Sequence, residues 1–126
     1  MSVVDSSGWI EFLSDGPNAS RFAPELSRAG DLVIPTIVAC EVARWLHANG
    51  RGHEATETVR SMSFGQIVPL SMRLAETAAD LGIRLRLPLA DSIIYATAQS
   101  LGMDVWTQDR DFGGLPGVVY VPKLTA

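Results

Sequence analysis

The chain has 126 residues, 47% hydrophobic and 19% charged, with a net charge of −4 at pH 7. That length accommodates one domain with a substantial core, residues 1–126, and not two. The acidic balance excludes a wholly basic surface for nucleic acid, but not a site in which metal ions supply the positive charge.

In chain order, Ser2 to Asp5 reads as a short buried strand, Val3-Val4, with Asp5 at its carboxyl end. Ser6, Ser7 and Gly8 read as a turn, followed by a short helix carrying Trp9, Ile10, Phe12 and Leu13. The breaker cluster Asp15-Gly16-Pro17-Asn18 precedes a helix from Ala19 to Ala29, with Phe22, Leu26 and Ala29 on one face and Gly30 as its stop. Asp31 to Pro35 is a continuous apolar strand of the kind a parallel sheet buries on both faces. Thr36 is the expected cap of a helix from Ile37 to Ala48, striped by Val38, Val42, Trp45 and Leu46 and ended by Asn49-Gly50.

Arg51 to Met62 predicts a more polar helix with Ala55, Val59 and Met62 inward, suited to a solvated face or a partner groove. Gly65 to Pro69 is a third strand; Ser71 then caps a helix to Leu81 that Gly82 stops. After Arg84-Leu85-Arg86, Pro88 opens a core helix with apolar residues at helical spacing, closed by Gly102. Met103 to Thr107 and Val118 to Val121 are the last strands. Alternation of this kind predicts an α/β fold: a three-layer sandwich with a central parallel sheet of about five strands and helices on both faces.

No apolar run reaches the roughly 18 residues of a membrane span. With no basic-then-apolar leader, a cytoplasmic protein without membrane contact is expected. Cys40, the one cysteine, forms no internal disulfide and makes no convincing zinc set with His47 and His53, so a small buried side chain is expected of it. Trp45 and Trp106 read as packing residues, Trp9 as a candidate for partner contact.

Asp91 lies in the first turn of the core helix, where an acid ordinarily caps free N–H groups. Its company suggests more. Asp5 and Asp109 fall at strand carboxyl ends, and Glu41 and Asp91 in the first turns of helices, at the edge where ligands gather in such sheets. Four carboxylates so gathered repel, by roughly 3 kcal/mol for a pair about 5 Å apart at an effective dielectric of about 20. Either some are protonated or a cation is present. An all-oxygen site without thiolate or imidazole suits Mg2+ or Mn2+, and such a site hydrolyses phosphodiesters. Arg84, Arg86 and Arg110 stand near the acids in sequence and could hold flanking phosphates of a single strand.

Residues 3–13, 35–42, 87–98 and 105–112 resemble, in order and at the expected spacings, the successive motifs of PIN domains. The resemblance is greatest to the VapC-like ribonuclease toxins of toxin-antitoxin pairs. It implies that Asp5, Glu41, Asp91 and Asp109 are the acidic metal-binding and catalytic quartet, that Asp111 is a ligand or sits just behind one, and that Ser7 and Thr107 support the site. It further implies Mg2+- or Mn2+-dependent endoribonuclease activity on RNA, a homodimer, and neutralisation by a cognate antitoxin. Two alternatives make different demands on the sequence. A phospho-accepting receiver domain would need a second acid beside Asp5 and an Asp after the third strand, where Val68-Pro69-Leu70 stands, and Lys123 comes too late for its lysine. A catalytically silent PIN-like binding module would be expected to lack one of the four acids.

Overall fold

The computed structural model describes residues 1–124; residues 125 and 126, the end of the expected domain, lie outside the described residues. Five strands alternate with six helices among the described residues: β1 (Ser2–Val4), α1 (Ser6–Leu13), α2 (Ala19–Leu26), β2 (Val33–Pro35), α3 (Thr36–Ala48), α4 (Ala55–Met62), β3 (Gln66–Val68), α5 (Met72–Leu85), α6 (Leu89–Ser100), β4 (Asp104–Thr107) and β5 (Val118–Tyr120). Every pairing is parallel, and among the described residues no helix is long and apolar enough to cross a membrane.

The five strands do not form one continuous sheet as expected. They form a three-stranded sheet, β1-β4-β5, and a two-stranded one, β2-β3, joined by the single bridge Ser2↔Leu32. The cause is the shortness of β1 and β2, three residues each. They overlap only at their N-terminal ends, and beyond β1 the chain is held by β4, where Asp5 N donates to Trp106 O at 3.0 Å. This leaves the carboxyl ends of β1 and β4 side by side.

Val3, Val4, Val33 and Val105 of the strands meet Phe22, Val38, Val42, Leu46, Ile94 and Phe112 in a core from which water is excluded. Helix α6 is the centre of this packing. It is buried without a break from Ser92 to Ala98, because it packs against α5, α3 and the strands at once. That surround is why its sequence is apolar nearly all round rather than striped.

Local corrections follow from tertiary packing. Ser6-Ser7-Gly8 is the first turn of α1, with Asp5 as N-cap, and not a separate turn. Gly8 is required there: a Cβ would lie 2.7 Å from Val4 Cγ1 and 2.8 Å from the Phe22 ring. Helix α2, which contains Pro24, ends at Leu26, so Ala29 falls in a 3-10 turn. Thr36 does not cap α3. Pro35 ends the strand in extended geometry and Thr36 is already helical.

The expected helix from Arg51 divides into a 3-10 turn, Gly52–Glu54, and α4, on which Val59 is exposed rather than inward. Gly82 does not stop α5, which runs on to Leu85 and ends on Arg86 in the left-handed conformation, φ 56°. Gly82 serves a close approach of α5 to α6, since a Cβ there would lie 3.0 Å from Ser92 Cβ. Cys40 is exposed on α3, not buried. Trp9 is a core residue, while Trp45 is half-buried with the Arg51 guanidinium 5.6 Å from its ring centroid.

Candidate active site

Asp5 is 1% exposed and caps α1 from the end of β1. Its carboxylate is fully engaged. Oδ1 accepts from Ser7 Oγ at 2.6 Å and from Gly8 N at 3.2 Å, and Oδ2 accepts from Thr107 Oγ1 at 2.8 Å. Burial nevertheless dominates these hydrogen bonds and raises its pKa to about 6.

Asp91 reaches the same region from the first turn of α6. Its side chain is not a cap: among the described residues, its carboxylate accepts no hydrogen bond from the helix N–H groups, and Pro88 is the N-cap. Its pKa is raised to about 7, first by burial, then by the charges of Asp109, Asp5, Glu41 and Asp111. All four other acids of interest therefore lie within electrostatic reach of this one group.

The loop after β4 supplies the remaining acids. Asp109 Oδ1 accepts from Asp111 N at 2.9 Å and caps the 3-10 turn Arg110–Phe112, while Asp109 N donates to Thr107 Oγ1 at 2.9 Å. Phe112 anchors this turn in the core and stacks obliquely on Tyr95 of α6, ring centroids 6.4 Å apart. The Tyr95 hydroxyl in turn donates to Pro116 O at 2.7 Å, tying the loop to the helix that carries Asp91. In consequence one carboxylate oxygen from each of Asp91, Asp109 and Asp111 lies within 4.8 Å of the others. Three carboxylates at that spacing are hard oxygen donors with no soft ligand among them, the set that a divalent hard cation neutralises.

Of the expected quartet, Asp91 and Asp109 stand in this trio with Asp111. Asp5 stands behind it in its hydrogen-bonded pocket. Glu41, half-buried on α3, is held by Ser6 Oγ at 2.9 Å. Ser7 and Thr107 are both at the site; Ser7 Oγ also accepts from Gln108 N at 3.1 Å. The three arginines divide. Arg110 lines the open cavity beside Asp109 and Asp111. Arg84 is paired with Asp80 at 3.0 Å on exposed α5, and Arg86 is exposed at that helix's end; neither lines the cavity.

Three contributors were not anticipated. Ser6 was read only as a turn residue. Asn18 was read as a breaker, yet it is 1% exposed and donates from Nδ2 to Gln108 Oε1 at 3.2 Å and to Pro122 O at 2.9 Å. Lys123 lines the same cavity as Arg110. A polar residue in a breaker cluster and a lysine near the chain end carry no signal of such roles until the fold brings them in.

No functionally curated protein matches this chain. Among solved structures it is similar to a chain of a toxin-antitoxin complex from Klebsiella pneumoniae, with 27% identity, TM-score 0.80, and coverage of 98% of this chain and 100% of that one. It is also similar in fold to VapC20 of Mycobacterium tuberculosis, a toxin that cleaves the sarcin-ricin loop, at 17% identity and TM-score 0.77, covering 96% of this chain and 98% of that one. A chain of VapBC2 from Rickettsia felis, bound to promoter DNA, shares the fold at 13% identity and TM-score 0.72, covering 96% of this chain and 97% of that one. The PIN-domain family model matches residues 2–117. The chain, whose acidic residues Asp91, Asp109 and Asp111 gather in one cluster, belongs to the PIN-domain family.

Proposed function

We propose that this protein is a VapC-like toxin: a Mg2+- or Mn2+-dependent endoribonuclease that hydrolyses RNA phosphodiester bonds and is neutralised by a cognate antitoxin. The observation that carries this reading is the trio of Asp91, Asp109 and Asp111 oxygens within 4.8 Å of one another, with Asp5 and Glu41 close enough to raise the Asp91 pKa. Three mutually repelling acids are stable in a small domain only if protonated or neutralised. A hard divalent cation bound by these acids supplies charge for the scissile phosphate and activation of the attacking water.

The chain's own residues have distinct tasks in this proposal. Asp91, Asp109 and Asp111 would hold the ion, with Asp5 and Glu41 completing the acidic set. Ser7 and Thr107 hold one oxygen each of the Asp5 carboxylate, and Ser6 holds one oxygen of Glu41. With its pKa raised to about 7, Asp91 is partly protonated near neutral pH, and a bound ion would displace that proton.

The antitoxin has a candidate seat. An apolar cleft of about 300 Å3 lies between α1, α2 and α4, lined by Trp9, Phe12, Leu26, Thr58 and Met62 among others. The Trp9 Nε1–H beside it is buried without an acceptor, a donor that an entering peptide carbonyl would satisfy. A second copy of the chain is the proposed cover for Met72, Ala79 and Ile83, exposed at helical spacing along one side of α5.

Cleavage of a defined single-stranded RNA by antitoxin-free protein tests the enzymatic reading. Activity is expected with Mg2+ or Mn2+, and none with EDTA or in Asp5→Asn and Asp91→Asn. Cleavage that survives EDTA and both substitutions would refute the metal mechanism. A folded protein that binds RNA but never cuts it would be a silent binding module.

A further inference from the structure

An open cavity of about 610 Å3 adjoins the acidic trio, with Asp109 and Asp111 on one side and Arg110, Tyr120, Pro122 and Lys123 around it. Its volume lies within the roughly 300–1,000 Å3 of clefts that receive small ligands, ample for one nucleotide. Lys123 is the only lysine in the 126 residues. Arg110 is flanked in sequence by two acids, yet among the described residues neither Arg110 nor Lys123 forms an ion pair. Arg51, Arg60 and Arg84 are each bound to a carboxylate; Arg110 and Lys123 share their unpaired state with other arginines and differ from them in lining the cavity beside the acids.

Asp109 Oδ1 accepts from Asp111 N and both carboxylates gather with Asp91, while the two cations stand on the cavity wall beside them. Tyr120, on β5, is held in register opposite Thr107 and is 37% exposed. Tyr120 lines the same space. Two unpaired cations and an accessible aromatic face beside an anion-repelling acidic centre match the chemistry of a phosphate with a base attached.

We infer that this cavity seats one nucleotide of a single-stranded RNA next to the phosphate being cut, with Tyr120 stacking on its base and Arg110 and Lys123 holding its phosphate. The identity of the polynucleotide rests on the nuclease reading above. The contacts themselves involve none of the acids. An unstacked base is needed for the Tyr120 contact, so duplex RNA is a poor occupant.

The test is binding of a fluorescently labelled single-stranded oligoribonucleotide by anisotropy, with Ca2+ in place of Mg2+ to restrain turnover, alongside steady-state cleavage. Lys123→Gln should reduce the slope of log affinity against log salt by about 0.7, the value for one lost phosphate contact on a single strand. Lys123→Arg should restore it. Tyr120→Leu should weaken binding roughly tenfold with the slope unchanged, within the range for one stacked base. Both losses should appear in KM rather than kcat, with Mn2+ affinity intact. The control Arg28→Gln, exposed on the surface, should change none of these. If Lys123→Gln and Tyr120→Leu bind the oligonucleotide as the parent does, or if the parent binds none, the nucleotide seat is refuted. Should the parent bind but not cleave, the nuclease reading fails alone, and the anisotropy of the variants still decides the cavity.

Discussion

Thr107 Oγ1 donates a 2.8 Å hydrogen bond to Asp5 Oδ2 across 102 residues of sequence, and its oxygen accepts from Asp109 N at 2.9 Å. A hydroxyl has one hydrogen to give, so the 3.3 Å approach of Ser7 Oγ to Thr107 Oγ1 is a contact between two donors both committed to Asp5. One buried hydroxyl therefore couples the ends of β1 and β4 to the loop that carries Asp109. Thr107→Val keeps the shape but leaves Asp5 Oδ2 and Asp109 N unpaired. The expected outcome in urea denaturation is a loss of about 1–3 kcal/mol. Cleavage should fall about 10- to 100-fold, the range for supports of metal ligands, and Thr107→Ser should recover most of both.

Asp109 and Asp111 both lie in the close trio with Asp91, although the motif alone left open which of the two is the ligand. Asp109→Asn and Asp111→Asn should each weaken Mn2+ binding at least tenfold by calorimetry, and the double substitution should abolish it. Unchanged Mn2+ affinity in Asp111→Asn would assign that residue a supporting position only.

Asn18 ties the chain end to the site by donating to both Gln108 Oε1 and Pro122 O, while its own N–H donates to Glu11 Oε2 at 2.8 Å. Asn18→Ala leaves two acceptors without their donor. It should cost about 1–3 kcal/mol by denaturation, with Mn2+ affinity falling less than in Asp109→Asn. Asn18→Asp, which cannot donate, should be no better.

The acids were legible in sequence because each interrupts an apolar pattern at a point where α/β topology fixes location. Asp5 ends a Val-Val strand, Asp109 follows β4, and Asp91 opens a helix that is otherwise core. Of their supports, Ser7 and Thr107 were indicated by the family resemblance, and the others were not legible. Asn18, Ser6 and Lys123 gain meaning only from partners distant in the chain, and no local periodicity marks them. The same limit explains Gly82, whose role is set by Ser92 on a neighbouring helix, and the break between the two sheets, set by how far short strands overlap.

Met72 and Ile83 are 11 residues apart on α5, about three turns, so they share one side of the helix, and they are 89% and 84% exposed. Two large apolar side chains so exposed on one helix face favour association. Ile83→Glu should shift the proposed homodimer toward monomer in light scattering at micromolar concentration, leaving Mn2+ affinity intact. A parent protein that is monomeric at all concentrations would end the dimer proposal.

Asp5 and Asp91 have pKa values raised from 3.8 to about 6 and about 7 in the folded protein. Between pH 4 and 7 the ion-free folded state therefore binds more protons than the unfolded chain, so stability falls as pH rises through that window. The Asp5 shift alone corresponds to about 3 kcal/mol, and Asp91 adds a contribution in the same direction that is shared with Asp5 through their mutual repulsion. The ion-free protein should then melt lower at pH 8 than at pH 5.5, the reverse of what salt-bridged carboxylates produce. Asp91→Asn, neutral at every pH, should flatten the profile and raise the melting temperature at pH 8. Mg2+ or Mn2+ should restore stability at pH 8, where the carboxylates are ionised and free to bind it, and should add little at pH 5.5, where protons compete for the same oxygens. A melting temperature that rises steadily from pH 5.5 to 8 in EDTA would show that the acids are not in the electrostatic conflict their spacing requires.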